Sequence, residues 1–369
     1  MNKTASTLVS KSYGPLIADI AGHSVTHSEA AILRDPRVGG MILFARNFAS
    51  KQQLCALTAE IHALREGTGL PKLLIAVDHE GGRVQRFKTD GFTHIPPMAM
   101  LGQLWQENPL LAHKTASCAG FVLAAELLAC GVDYSFTPVI DLDYGASSVI
   151  GNRAFHSDAS IAAMLVRSFI SGLHRAGMRS CGKHFPGHGF VAADSHHEIP
   201  VDERDLASIL ARDAAPYAWL SDVLDAVMPA HVIYPKVDTA PAGFSRTWVE
   251  IILRQQLGFN GVVFSDDLSM AGATVVGDVH ARARAALGAG CDMVLLCNSP
   301  AMVDELLGGD SLGNDALSLA GMSFENRAKS QNRIAHLVPQ TCLAAQNWEI
   351  LQNDVHYVAA KNQLNVLLA

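Results

Sequence analysis

The densest run of chemically capable side chains is Lys183-His184-Phe185-Pro186-Gly187-His188-Gly189, followed shortly by Asp194-Ser195-His196-His197. Its glycines and Pro186 impose a loop rather than a continuing element. Three readings of this loop stand side by side. His184, His188, Asp194, His196 and His197 are all ligand types for a transition metal. Asp194 next to His196 also makes a proton-transfer pair, in which the carboxylate orients the ring and favours its charged form. The third reading is polarity without chemistry, as on many exposed loops.

Other capable residues stand singly: Asp78, His231, Asp266 with Asp267 beside it, and Asn298. Each ends or follows a short apolar run. The runs cover residues 16–20, 40–44, 73–77, 134–140, 178–184, 226–231, 261–266 and 292–297. They are near-continuous rather than alternating, which suits parallel strands buried on both faces. Helical stretches lie between most of them, at 52–65, 112–130, 161–176 and 281–288. Eight strands with crossover helices predict an α/β fold, a (β/α)8 TIM-type barrel, with a doubly wound open sheet as the competitor. Capable residues at strand ends favour the barrel, because a barrel converges those ends on one face and an open sheet spreads them along an edge.

The remaining sequence narrows the class. A net charge of −7 and a pI near 6.1, with no run of Lys and Arg, argue against a nucleic-acid partner. The first 13 residues are polar and lack an apolar signal core, and the longest apolar runs, such as 121–130, are too short to span a bilayer. The seven cysteines, Cys55, Cys118, Cys130, Cys181, Cys291, Cys297 and Cys342, are scattered and odd in number, which predicts reduced, buried thiols in a cytoplasmic protein. No Pro/Gly/Ser linker divides the chain, so one catalytic domain over residues 1–369 is expected, with a helical tail from about residue 301 packed on the barrel.

The loop at 183–189 with Asp194-Ser195-His196, taken with Val77-Asp78-His79-Glu80-Gly81-Gly82-Arg83-Val84-Gln85-Arg86 and Phe264-Ser265-Asp266-Asp267-Leu268-Ser269-Met270, resembles glycoside hydrolase family 3. More narrowly it is similar to the single-domain β-N-acetylglucosaminidases of Gram-negative peptidoglycan recycling. The resemblance runs from about residue 13 to residue 298.

The resemblance implies a role for each matching residue. Adjacent strand side chains point to opposite faces, so Asp266 and Asp267 cannot both reach a sugar; the family pattern selects Asp266 as nucleophile. It makes His196 the general acid/base and Asp194 its partner, in place of the usual second carboxylate. Asp78, Arg86, Arg153, Lys183 and His184 match sugar-binding positions, although Arg86 and Lys183 can instead form ion pairs that position Asp78. Arg83 is expected to be structural. His188, His197 and His231 are expected behind the sugar contacts. The implied activity is that of a retaining exo-β-N-acetylglucosaminidase, releasing N-acetylglucosamine from its 1,6-anhydro-N-acetylmuramic acid conjugates with or without stem peptide. No metal and no organic cofactor are implied. The expected partner is a small carbohydrate, bound by a monomer that engages neither nucleic acid nor membrane. Three alternatives remain: a metal-dependent hydrolase on the same fold, a phosphorylase variant, and a non-catalytic sugar sensor. The first lacks a His-x-His pair at the end of the first strand, where Asp19, Gly22 and His23 stand.

Overall fold

The eight apolar runs become eight parallel strands. In the computed structural model, which describes residues 12–192, 199–308, 317, 324–339 and 347–368, these are β1 (Leu16–Asp19), β2 (Val38–Leu43), β3 (Leu74–Val77), β4 (Tyr134–Ser135), β5 (Cys181–Phe185), β6 (Ala226–Pro229), β7 (Val262–Asp267) and β8 (Met293–Leu295). Their order is β4-β3-β2-β1-β8-β7-β6-β5. The seam between β4 and β5 closes through an irregular segment. Cys181 N donates to Thr137 O at 2.7 Å and Ile140 N to Lys183 O at 2.7 Å, and Val139 bridges Lys183 in parallel. Closure excludes the doubly wound sheet. The fourth run, expected as a strand to residue 140, is regular only to Ser135; Pro138 has no N–H to give a ladder.

Strand side chains alternate between two apolar layers. Ile17, Ile42, Leu74, Ala76, Cys181, Met228, Val262, Phe264, Met293 and Leu295 fill the barrel interior. Their neighbours Leu16, Ala18, Met41, Leu43, Ile75, Val77, Val263 and Val294 pack against the surrounding helices. Tyr134, Phe136 and Phe264 interlock inside, with ring centroids 5.2–5.8 Å apart. Layered bulky side chains of this kind make the barrel a solid core and not a pore.

The crossover helices start where short polar side chains can cap them. Ser50 caps Lys51–Ala63, Asn108 caps Pro109–Ala129, Asp158 caps Ala159–Ala176 and Asp278 caps Val279–Ala289. Helix Pro109–Ala129 is apolar nearly all round because it is covered on several sides, by the barrel, by Ala159–Ala176 and by the last helix, Val355–Leu368. Tyr357 on that last helix donates a 2.7 Å hydrogen bond to the buried Glu126. Helix Phe324–Ala335 runs under the N-terminal end of the barrel. There Arg333 pairs with Asp292 at 2.6 Å, and Ile334 and Leu337 join the interior cluster. Among the described residues no helix is long and apolar enough to cross a membrane. Five of the described cysteines are buried free thiols; Cys55 is only half-buried, and Cys342 lies outside the described residues.

Candidate active site

The alternation that fills the barrel also decides which polar side chains stand in its mouth. One step beyond Ala76 on the same face of β3 comes Asp78. One step beyond Phe264 on β7 comes Asp266. Both line a cavity of ≈ 290 Å³ at the C-terminal ends of the strands, together with Phe44, Glu80, Arg86, Arg153, Lys183, His184, His188, Met228 and Asn298. Six of the residues singled out by the sequence, Asp78, Arg86, Arg153, Lys183, His184 and Asp266, thus surround one space. Asp194, His196 and His197 lie outside the described residues.

Charges around this space form an alternating chain. Lys183 Nζ lies 2.7 Å from Asp78 Oδ1 and 2.7 Å from Glu80 Oε1. Arg86 approaches the other Asp78 oxygen at 3.7 Å, and Arg153 grips Glu80 with two 2.8 Å hydrogen bonds. Burial alone would raise the Glu80 carboxyl, but Arg153 and Lys183 overcome it and hold Glu80 well below the usual carboxylate range. Burial likewise opposes the Lys183 charge, and Asp78 and Glu80 prevail, raising its pKa. Glu80 and Lys183 are 3% and 4% exposed as side chains, whereas Asp78 and Arg86 are 24% and 30% exposed. Glu80 is therefore an anchor, and Asp78 and Arg86 keep hydrogen-bonding capacity towards the cavity. For Arg86 and Lys183 the two sequence readings coexist: each pairs with Asp78 and each lines the cavity.

The loop after β5 is held from below by Asp141, which the sequence reading missed. Its carboxylate receives His184 Nδ1 at 2.7 Å, the His184 backbone N–H at 3.2 Å and the His188 backbone N–H at 2.6 Å. The Lys183–His184 and Phe185–Pro186 peptides are both cis. His188, expected behind the sugar contacts, lines the cavity itself; burial and the neighbouring His184 lower its pKa. His231 does sit behind the wall. It stacks on Phe244 with ring centroids 5.0 Å apart, and its Nε2 lies 3.1 Å from the Asp267 carbonyl. Arg83 spends its guanidinium on the Ser148, Val149 and Ile150 carbonyls, a structural task.

Asp266 and Asp267 both line the cavity, but their carboxylates are held differently. The Asp267 carboxylate accepts Ser269 N at 2.9 Å, Ser269 Oγ at 2.8 Å and Cys297 N at 3.1 Å, so it ties the loop after β7 to β8. Burial pushes its pKa up to about 6. Asp266 Oδ1 accepts the Asp267 N–H at 2.8 Å. The cavity therefore offers a carboxylate in the barrel mouth, facing side chains suited to gripping a polyhydroxylated ring. Among the described residues no group of three or more His, Cys, Asp or Glu is placed to hold a metal ion.

Comparison with known proteins agrees with this chemistry. Residues 9–324 match the glycosyl hydrolase family 3 N-terminal domain. A β-hexosaminidase of Bordetella parapertussis is 62% identical over 349 residues, which is 94% of either chain. The chain belongs to glycoside hydrolase family 3. NagZ from Neisseria gonorrhoeae, solved in complex with N-trifluoroacetyl-D-glucosamine, is 46% identical and superimposes with a TM-score of 0.86 over 97% of this chain and 99% of that one. The same Neisseria protein solved with a zinc ion gives 45% identity and a TM-score of 0.85, over 97% and 99% of the two chains. Membership in the family and likeness to a β-hexosaminidase over nearly the whole chain make this barrel a glycoside hydrolase.

Proposed function

We propose that the chain is a retaining exo-β-N-acetylglucosaminidase acting in peptidoglycan recycling. The observation that carries this reading is the Asp266 carboxylate, on the inward face of β7, in one cavity with Asp78, Arg86, Lys183 and His184. The substrate is N-acetylglucosamine linked to 1,6-anhydro-N-acetylmuramic acid, with or without stem peptide. Asp78 accepts hydrogen bonds from sugar hydroxyls, and Arg86, Lys183, His184 and Arg153 surround the ring. Asp266 attacks the anomeric carbon as His196 protonates the departing oxygen, and a covalent glycosyl-enzyme results. The neutral imidazole then takes a proton from water, which displaces Asp266 and releases the sugar. Asp194 next to His196 favours the imidazolium needed for the first step. The work is that of a monomeric cytoplasmic enzyme with a soluble carbohydrate substrate. Support comes from the family, from the β-hexosaminidase relative and from the glucosamine derivative bound to the Neisseria protein.

The test is mass spectrometry of the products from an aryl N-acetylglucosaminide and from anhydromuropeptides, with and without phosphate. Free N-acetylglucosamine under both conditions is expected. A sugar 1-phosphate would make the enzyme a phosphorylase. A fluorinated N-acetylglucosaminyl reagent should label Asp266; label on Asp267 would overturn the assignment.

A further inference from the structure

We infer that Asp141 is a positioning residue of the sugar site: it sets which nitrogen of His184 faces the cavity and fixes the turn that follows. The inference rests on reading His184 as a sugar contact. Asp141 itself is 2% exposed and forms no part of the cavity wall, so it acts only through what it holds.

The geometry leaves the carboxylate one role. Three donors converge on it: His184 Nδ1, the His184 backbone N–H and the His188 backbone N–H, at 2.6–3.2 Å. An ionised carboxylate only accepts. Burial works against its charge, but His184 and the His188 amide more than compensate, and Asp141 stays below the usual carboxylate range. The contact at Nδ1 must therefore carry its proton on the histidine, which leaves Nε2 for the cavity. When the ring is neutral, Nε2 is then a lone pair, an acceptor for a sugar hydroxyl. The same carboxylate pins the turn at His188. One residue further along each segment, a Cβ on Gly189 would fall 1.9 Å from the Leu142 carbonyl oxygen, so the turn lies directly against the segment that carries Asp141. One buried group thus determines both ring identity and loop path.

Asp141→Asn keeps the shape but replaces one acceptor oxygen with an NH2. The neutral His184 ring adapts by moving its proton to Nε2 and accepting from the new amide at Nδ1. The cavity then meets a donor where it had an acceptor.

The experiment labels the full chain with 15N-histidine and reads long-range proton–nitrogen spectra at a pH where the rings are neutral. Loss of a signal in His184→Gln assigns His184. Expected is a protonated Nδ1 in the parent and an unprotonated Nδ1 in Asp141→Asn. N-acetylglucosamine binding and kcat/KM should each fall roughly 10- to 100-fold in Asp141→Asn, the loss of a charge-assisted buried hydrogen bond. The double variant Asp141→Asn/His184→Gln should lose little more than His184→Gln alone, because the two act as one unit. Fully additive losses, or an unchanged tautomer while His184→Gln weakens binding, would overturn the inference alone. Normal sugar affinity in His184→Gln would overturn the reading beneath it. If Asp141→Asn fails to fold, the parent spectrum still decides: an Nδ1 without a proton refutes the inference.

Discussion

Arg153 meets Glu80 edge to edge, with Nε and a terminal nitrogen each 2.8 Å from a different carboxylate oxygen. Lys183 reaches the same carboxylate at 2.7 Å, and from there connects to Asp78. A residue with 3% exposure thus stands behind Asp78, a carboxylate that faces the cavity. The pair is a frame before it is a binding group.

Breaking this frame on one side should be worse than removing it. Arg153→Met leaves the buried Glu80 with Lys183, 2.7 Å away, as its one remaining ion-pair partner among the described residues, which draws Lys183 away from Asp78. A loss of about 3–5 kcal/mol in urea denaturation is expected, the cost of orphaning half of a buried pair. Glu80→Gln combined with Arg153→Met should recover part of that loss. A double variant as unstable as the sum of the single ones would show that the two side chains act independently.

Two carboxylates move stability in opposite directions with pH. The folded state depresses Glu80, so its contribution is present above the ordinary glutamate value of ~4.3 and is lost as pH falls below it towards the depressed folded value. Asp267 is raised to about 6, so its contribution is full below the ordinary aspartate value of ~3.9 and is lost as pH rises through 6. Holding Asp267 ionised at neutral pH costs about 3 kcal/mol on that basis. Asp267→Asn keeps a carbonyl for the two backbone N–H groups and an NH2 for the Ser269 hydroxyl. It should therefore gain about 1–3 kcal/mol at pH 8, with the gain shrinking towards pH 4, and it should retain turnover. Urea midpoints across pH check the first point, and initial rates the second.

Asp266→Ala should abolish turnover in a protein whose thermal midpoint is close to that of the parent, because the carboxylate stands at a cavity and not in the core. Calorimetry alongside product analysis separates this from a folding defect.

His196→Ala should reveal its role through the leaving group. General acid catalysis is typically worth roughly 10²- to 10⁴-fold. A nitrophenolate departs without a proton, whereas a sugar alkoxide needs one. Disaccharide hydrolysis should therefore suffer far more than glycosylation by a nitrophenyl glycoside. With no base for the second step, a burst should appear, and azide should relieve it. Equal losses on both substrates with no burst would transfer the role to His188 or His197.

Prolonged chelation should leave activity unchanged if the loop histidines move protons. Zinc or manganese that restored a chelated enzyme would favour metal-assisted hydrolysis instead, and the zinc complex of the Neisseria protein makes the control worth running.

The barrel could be read from its eight apolar runs because parallel strands covered on both faces leave that trace. The end of β4 could not, since Pro138 interrupts the ladder inside an apolar run. Asp78 and Asp266 were recognisable as strand-end residues. Glu80 and Asp141 were not: a carboxylate bonded to a cation 73 positions away, or to a histidine 43 positions away, is written like any surface acid. Local polarity likewise misplaced His188, whose position depends on its backbone bond to Asp141.

The floor of the barrel has a consequence for the order in which this protein can be assembled. Ile334 and Leu337 belong to the same interior cluster as Ile17, Phe264 and Met293, yet they lie about forty residues beyond β8. A ribosome that has just released β8 has delivered every stave of the barrel and none of its base. Until the helix that carries Ile334 emerges, the lower rim presents apolar side chains to water, a surface that chaperones and aggregation partners both recognise. Covering the barrel floor thus waits on a segment that lines no part of the cavity at the mouth.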